Sequence, residues 1–165
     1  MASTYYSAPV NVRQTAATAA NATIWAMRNS ATSTITVFIE KIELLLAFDS
    51  GTPITRSTQK YDLIRFSTAT PTGGTAITVA QMYSGDTGTQ VTDARFLDTG
   101  LTTTSMVFNA PFATIGCPAT DATTTKYQRD TIALMLGVGE GFCIRLNNAA
   151  VVGQSITGEI VWSER

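Results

Sequence analysis

The chain has 165 residues, of which 44% are hydrophobic and 14% are charged, and its net charge at neutral pH is −1. This length fits one domain, and the hydrophobic content together with the small net charge excludes an intrinsically disordered chain. Ordinary globular proteins carry roughly 25% charged residues; here threonine, about a sixth of the chain, fills the difference. Because threonine is β-branched and favours strands, the composition predicts an all-β protein.

The charges are balanced, with eleven basic and twelve acidic residues. Nucleic-acid binding draws most of its affinity from lysines and arginines that neutralise phosphates, so we expect no nucleic-acid partner. The N-terminal residues lack the basic and apolar stretches of a signal peptide. The longest apolar run, residues 42–48, is interrupted by Glu43 and is far shorter than the ~20 residues of a membrane helix. We therefore expect no membrane partner.

The N-terminal segment has few large apolar side chains beyond two adjacent tyrosines, and residues 14–20 offer no stripe that would dock a helix. We predict an extended N-terminal arm, residues 1–20, and a single β-sandwich domain, residues 21–165. Tyrosine is enriched at protein interfaces, so the arm is expected to anchor on a neighbouring protein, with simple disorder as the alternative. The candidate contact residues of the arm are Tyr5, Tyr6, Val10, Val12 and Arg13.

The alternation of apolar residues changes phase within one strand-like run. Apolar residues occupy odd positions from Ile35 to Ile39 and even positions from Ile42 to Phe48. Since side chains of a strand point to alternate faces, the break at Glu40-Lys41 predicts an inserted residue, as in a β-bulge within one long strand. A strand that crosses between sheets also fits. A helix over residues 39–48 is the competing interpretation, but the β-branched approach and the following Asp-Ser-Gly turn favour a strand.

Several other runs are typical of strands separated by turns. They lie at residues 22–28, 60–66, 77–83, 91–97, 106–108, 132–136, 142–146 and 156–162. Between residues 108 and 132, Pro111, Gly116 and Pro118 favour a long connection. About eight strands without a convincing helix predict an antiparallel β-sandwich or jelly roll.

Histidine is absent, which removes the usual general base and the Ser-His-Asp and Cys-His nucleophile pairs. Cys117 and Cys143 are too few for a cysteine zinc site. We expect two buried free thiols, because Cys143 alternates inside a strand and Cys117 precedes Pro118 in the connection. The Asp-containing turns offer single carboxylates, whereas calcium takes six to eight oxygens. The sequence therefore predicts no metal and no cofactor.

Paired carboxylates could hydrolyse glycosides, and they are the remaining catalytic candidates. Glu40 and Glu43 would face opposite ways in a regular strand, and only the predicted bulge could bring them onto one face. Glu159 and Glu164 lie on the last strand or in the tail. Solvated strand faces explain all four side chains, so we expect no catalytic residue.

Several segments together resemble small virion proteins of tailed bacteriophages. They are residues 21–25, 39–42, 61–66, 70–74 and 139–146, within a likeness that runs over residues 20–163. The resemblance implies a non-enzymatic virion protein, most like a capsid decoration (cement) protein that is made in the host cytoplasm and lies on the capsid surface. It implies the major capsid protein and copies of the chain itself, as a homotrimer, as partners. A carbohydrate-binding or receptor-binding module of a tail or fibre is the alternative.

Overall fold

The computed structural model describes residues 3–14, 19–48, 58–68, 70–82, 92–96, 105–118, 124–149 and 153–165. Within these ranges the regular structure is all β-strand, as the composition predicts. The strands are β1 (Thr4–Gln14), β2 (Thr23–Asn29), β3 (Val37–Phe48), β4 (Thr58–Ser67), β5 (Thr75–Ala76), β6 (Ala80–Gln81), β7 (Thr92–Phe96), β8 (Val107–Pro118), β9 (Thr124–Leu136), β10 (Gly141–Leu146) and β11 (Gln154–Glu164).

These strands form two antiparallel sheets. Sheet I has the order β6-β1-β11-β3-β9, and sheet II has the order β5-β7-β2-β10-β4-β8. Buried apolar side chains from both sheets meet in one core, which includes Trp25 and Phe142 of sheet II and Trp162 of sheet I. The arrangement is a β-sandwich, and its jelly-roll connectivity stays a prediction. The described residues form eleven strands where the sequence predicts about eight, because β1 falls in the predicted arm and a strand as short as β5 leaves no periodic signal.

The N-terminal segment is a strand of the sandwich, and the prediction of an arm is wrong for residues 4–14. β1 pairs with β11 along its whole length, from Thr4 opposite Glu164 to Gln14 opposite Gln154. The Trp25 indole of sheet II donates a hydrogen bond to the Pro9 carbonyl at 3.3 Å. Tyr6, Ala8, Val10 and Val12 alternate into the shared core. Ala8 and the two valines are small and give only a weak sign of a core strand in the sequence. β1 is nevertheless held in the sheet, because it lies between two other strands of sheet I.

The predicted bulge in β3 is confirmed. Against β11, Lys41 lies opposite Val161 and Ile39 lies opposite Trp162, so Glu40 is the extra residue. Both Ile39 and Ile42 are fully buried although they are three residues apart. β3 pairs with β11 and β9 on both sides of the bulge and stays in sheet I. The helix and the sheet-crossing strand are therefore excluded.

Of the long connection expected between residues 108 and 132, residues 109–118 belong to β8, an edge strand of sheet II, and residues 124–131 belong to β9. The rest of that connection lies outside the described residues. Pro111 lies opposite Ile64 and Pro118 lies opposite Thr58, with register shifts between Leu63 and Phe66. Proline removes a backbone donor, so within sheets it is found at edge strands, at strand starts and at bulges. The prolines that indicated a loop therefore mark the edge of the sheet.

Candidate functional site

The predicted contact residues of the arm divide between the two faces of β1. Tyr6, Val10 and Val12 are buried in the core, and the Tyr6 ring stacks on Trp162 with ring centroids 5.9 Å apart. These three side chains stabilise the sandwich and are covered by this chain itself. Tyr5 and Arg13 lie on the other face of β1, where Tyr5 is half-buried and Arg13 exposed. Contact with a partner stays a prediction for these two alone.

Both cysteines are buried and free, as predicted. Cys117 lies opposite Gln59 and belongs to the shared core, whereas Cys143 lies opposite Ile64 in a second apolar cluster. Burial raises the pKa of the Cys143 thiol to about 12. Since the thiolate is the reactive form, Cys143 is held in its inert state.

The second apolar cluster lies apart from the shared core. Its buried members are Ala26, Ile64, Phe66, Met106 and Cys143, and Phe108 packs against them. The guanidinium of Arg145 lies 4.2 Å from the centre of the Phe108 ring. Arg145 thus lies over one face of the Phe108 ring in a cation–π contact.

Carboxylates gather on the outer face of sheet I, the face turned away from the core. Glu43 of β3 lies directly opposite Glu159 of β11. The Lys41 ammonium lies between them, 2.7 Å from Glu43 Oε2 and 2.9 Å from Glu159 Oε1. Lys126 of β9 reaches Glu43 Oε1 at 2.8 Å. Two lysines and two glutamates thus form one charge-balanced group, here called the Lys-Glu cluster.

The pKa values of the cluster follow from these contacts. Hydrogen bonds from Lys126 and Lys41 lower the pKa of Glu43 to about 2. Hydrogen bonds to Glu43 and Glu159 raise the pKa of Lys41 well above its ordinary range. A general acid or base works best with a pKa near the working pH. At neutral pH Glu43 stays ionised and Lys41 stays protonated, so neither group is poised for proton transfer.

The other carboxylates considered from the sequence have separate partners. Glu40 accepts hydrogen bonds from Ser163 Oγ at 2.6 Å and from Arg165 at 3.0 Å. The bulge does bring Glu40 onto the face of Glu43. Glu40 contacts Ser163, and Ser163 lies on the same side of β11 as Glu159, the residue opposite Glu43. Glu164 is buried and accepts a hydrogen bond from the Trp162 indole at 3.2 Å. Glu40 and Glu164 therefore each have partners outside the Lys-Glu cluster.

An open depression of about 470 Å³ lies beside the Lys-Glu cluster. It is lined by Glu43, Leu44, Leu45, Lys126, Thr157, Gly158 and Glu159. Gly158 has a φ of 151°, and a Cβ there would overlap the Glu43 carbonyl oxygen. Glycine is therefore required at the floor of the depression, where β3 and β11 approach closely.

The outer face of sheet I also carries exposed apolar side chains. Leu45, which lies opposite Lys126, is 42% exposed, and Met135, which lies opposite Phe38, is 54% exposed. The face combines these side chains with serines, threonines and paired charges. The alternation of Lys41, Glu43 and Leu45 could have indicated a common face from the sequence. Their register against β11 and β9 could not have been read there.

The described ranges contain no group of three or more histidine, cysteine, aspartate or glutamate side chains arranged to hold a metal ion. In those same ranges, no helix has the length and apolar character needed to span a membrane. Comparison of the chain with protein-family models, with curated proteins and with solved structures found no significant match.

Proposed function

We propose that this chain is a non-enzymatic structural protein that binds other protein surfaces through the outer face of sheet I. In the more specific form of the proposal, it is a virion protein that decorates the lattice of a major capsid protein and stabilises the head. The resemblance of its strand and turn segments to virion proteins of tailed bacteriophages supports the specific form. The jelly-roll form of the sandwich belongs to the same proposal.

The observation that carries the proposal is the charge balance of this face. Each charged side chain of the Lys-Glu cluster lies within 3 Å of an opposite charge. Burying an unpaired charge in an interface is costly, whereas paired charges keep their partners. Exposed Leu45 and Met135 add apolar area beside them. Another protein can therefore cover the Lys-Glu cluster without separating its charges from their partners.

The exposed apolar side chains favour protein binding over sugar binding. A carbohydrate-binding module predicts exposed aromatic rings grouped around a surface. In the described part of the chain, the large apolar side chains that are exposed are Leu45, Met82, Val107, Met135 and Val138. None of them is aromatic. The tail or fibre module therefore remains the second candidate, and a glycan array with the purified chain tests it directly.

Gold-labelled antibody against the chain, applied to native particles of the phage that encodes it, tests the proposed location. Labelling over the whole head is expected. Labelling confined to the tail or fibres would replace the decoration role with the second candidate, and unlabelled particles would overturn the virion proposal.

A matched pair of variants tests the surface itself. Leu45→Gln removes an exposed apolar side chain from this face without changing its charge. Val138→Gln makes the same kind of change at an exposed residue in the turn between β9 and β10. Co-sedimentation with heads that lack the protein should fall about tenfold for Leu45→Gln, as for an interface anchor, and stay unchanged for Val138→Gln. Equal binding by both variants would exclude this face.

A further inference from the structure

In the part of the chain that the structure describes, each sheet has one long edge strand, β9 in sheet I and β8 in sheet II. The two strands differ in how they are protected against pairing with another chain. Unpaired strand edges are templates for another chain, and proteins blunt them with prolines, bulges or charges. β8, at the edge of sheet II, carries Pro111 and Pro118 and several register shifts. β9, at the edge of sheet I, contains neither proline nor glycine, and β3 is its one strand partner within the described ranges. Its register against β3 shifts after Asp130, but its N-terminal half pairs regularly with β3 from Thr124 to Asp130.

The charges of this half of β9 are arranged symmetrically. Lys126, Gln128 and Asp130 alternate on one face and are exposed. Lys126 and Asp130 lie at equal distances on either side of Gln128 and have opposite charges. An antiparallel copy of the same strand, aligned on Gln128, would therefore present an aspartate opposite each lysine.

We propose that two copies of this chain pair through their β9 edges, antiparallel, with Gln128 opposite Gln128 of the partner subunit. The two copies of sheet I would then form one continuous sheet around a two-fold axis. Such a pair is self-complementary, as two-fold interfaces require. Lys126 would lie opposite Asp130 of the partner subunit, and this contact occurs twice.

Other registers are disfavoured by the alternation of faces and by charge. Directly opposite residues of an antiparallel pair point to the same face, so a continuous sheet requires a residue, not a peptide bond, at the two-fold axis. An axis at Tyr127 places Lys126 opposite Gln128 of the partner subunit. An axis at Arg129 places Asp130 opposite Gln128 of the partner subunit. Neither register brings opposite charges together, and a parallel, in-register pair stacks like charges.

The cluster on the outer face is compatible with this pairing. Lys126 contacts Glu43 at 2.8 Å, yet its side chain is 54% exposed, so its ammonium can accept a second carboxylate neighbour. On the opposite face, Tyr127 would lie across from Arg129 of the partner subunit, an arrangement suited to a cation–π contact. The charges that protect the edge in the free chain thus define its register in the pair.

Light scattering coupled to gel filtration tests the pairing on the isolated full chain, so its result does not depend on the proposed virion role. The wild-type protein should have the mass of two chains. Asp130→Lys should place a lysine opposite Lys126 of the partner subunit, twice, and raise the dissociation constant of the dimer about tenfold or more. It leaves the Lys126–Glu43 contact untouched.

The charge swap K126D/D130K is the matched control for total charge. It removes the Lys126–Glu43 contact within each subunit but again places opposite charges across from each other between the subunits. It should restore the dimer. Amide hydrogen exchange of residues 125–130 should slow with protein concentration in the wild type and the swap, but not in Asp130→Lys. A wild-type mass of one chain, or a dimer unaffected by Asp130→Lys, would overturn the pairing. A mass of three chains would overturn it in favour of the trimer that the resemblance implies.

Discussion

Glu43 and Glu159 lie directly opposite each other on neighbouring strands, and the single ammonium of Lys41 bonds both carboxylates, at 2.7 and 2.9 Å. Like charges at such cross-strand positions are destabilising on their own. Here Lys41, two residues before Glu43 on the same face of β3, neutralises the repulsion. With Lys126 on the other oxygen of Glu43, the two carboxylates belong to a charge-balanced part of the surface.

Replacing Glu43 with glutamine should make the protein less stable at neutral pH but not in strong acid. The pKa of Glu43 is about 2 in the folded protein, below its ordinary value of 4.5. A lowered pKa contributes stability that is complete above the unfolded pKa and is lost as the pH falls through the folded pKa. Urea unfolding of wild type and Glu43→Gln should therefore differ at pH 7 and converge between pH 4.5 and pH 2. A difference that is constant with pH would contradict the assignment.

Placing a side chain at position 158 should destabilise the sandwich strongly. Gly158 has a φ of 151°, and an added Cβ would overlap the backbone of Glu43, which a flexible side chain cannot relieve. We expect Gly158→Ala to lower the free energy of unfolding by about 2–4 kcal/mol, or to prevent folding. Gly137→Ala is the control, since its Cβ would meet only the carboxylate end of Glu140 at 3.3 Å. Thermal and urea unfolding measure the stability of the two variants. Equal losses of stability in Gly158→Ala and Gly137→Ala would contradict this expectation.

The fold was accessible from the sequence where large apolar side chains alternate. The bulge could be placed at Glu40-Lys41 because the apolar alternation changes phase between Ile39 and Ile42, which an inserted residue explains. β1 and β8 were missed for opposite reasons. In β1 the buried face includes Ala8, too small to indicate a core position. In β8 the signals of Pro111 and Pro118 were strong, but proline at a sheet edge and proline in a loop look alike in a sequence.

The candidate surface could be predicted only in part from the sequence. Alternation predicts that Lys41 and Glu43 share a face, since they lie two residues apart. Their meeting with Glu159 and Lys126 depends on the register of β3 against β11 and β9. That register is set by the whole core, and no local pattern around position 126 or 159 records it.

The adjacent tyrosines of β1 provide a test of the corrected N-terminal segment. Tyr6 is buried and stacks on Trp162, whereas Tyr5 lies on the opposite face and is half-buried. Tyr6→Ala should lower the free energy of unfolding by about 3 kcal/mol, as expected for a large aromatic core side chain. Tyr5→Ala should cause a clearly smaller loss. If residues 4–14 formed an arm, both variants would unfold at the wild-type urea concentration.

The two thiols should react only when the protein unfolds. Cys117 and Cys143 are buried in different apolar clusters, out of reach of a reagent in solution. Burial also raises the pKa of Cys143 to about 12, so Cys143 carries almost no thiolate at pH 8. A thiol reagent such as a chromogenic disulfide should therefore label neither cysteine of the native chain within hours at pH 8. In denaturant it should label both at once. Valine is close to cysteine in size, so Cys117→Val and Cys143→Val should each remove one equivalent of labelling while the chain still folds. Rapid labelling of one thiol in native buffer would mean that its strand opens locally, and the single variants would identify which strand that is.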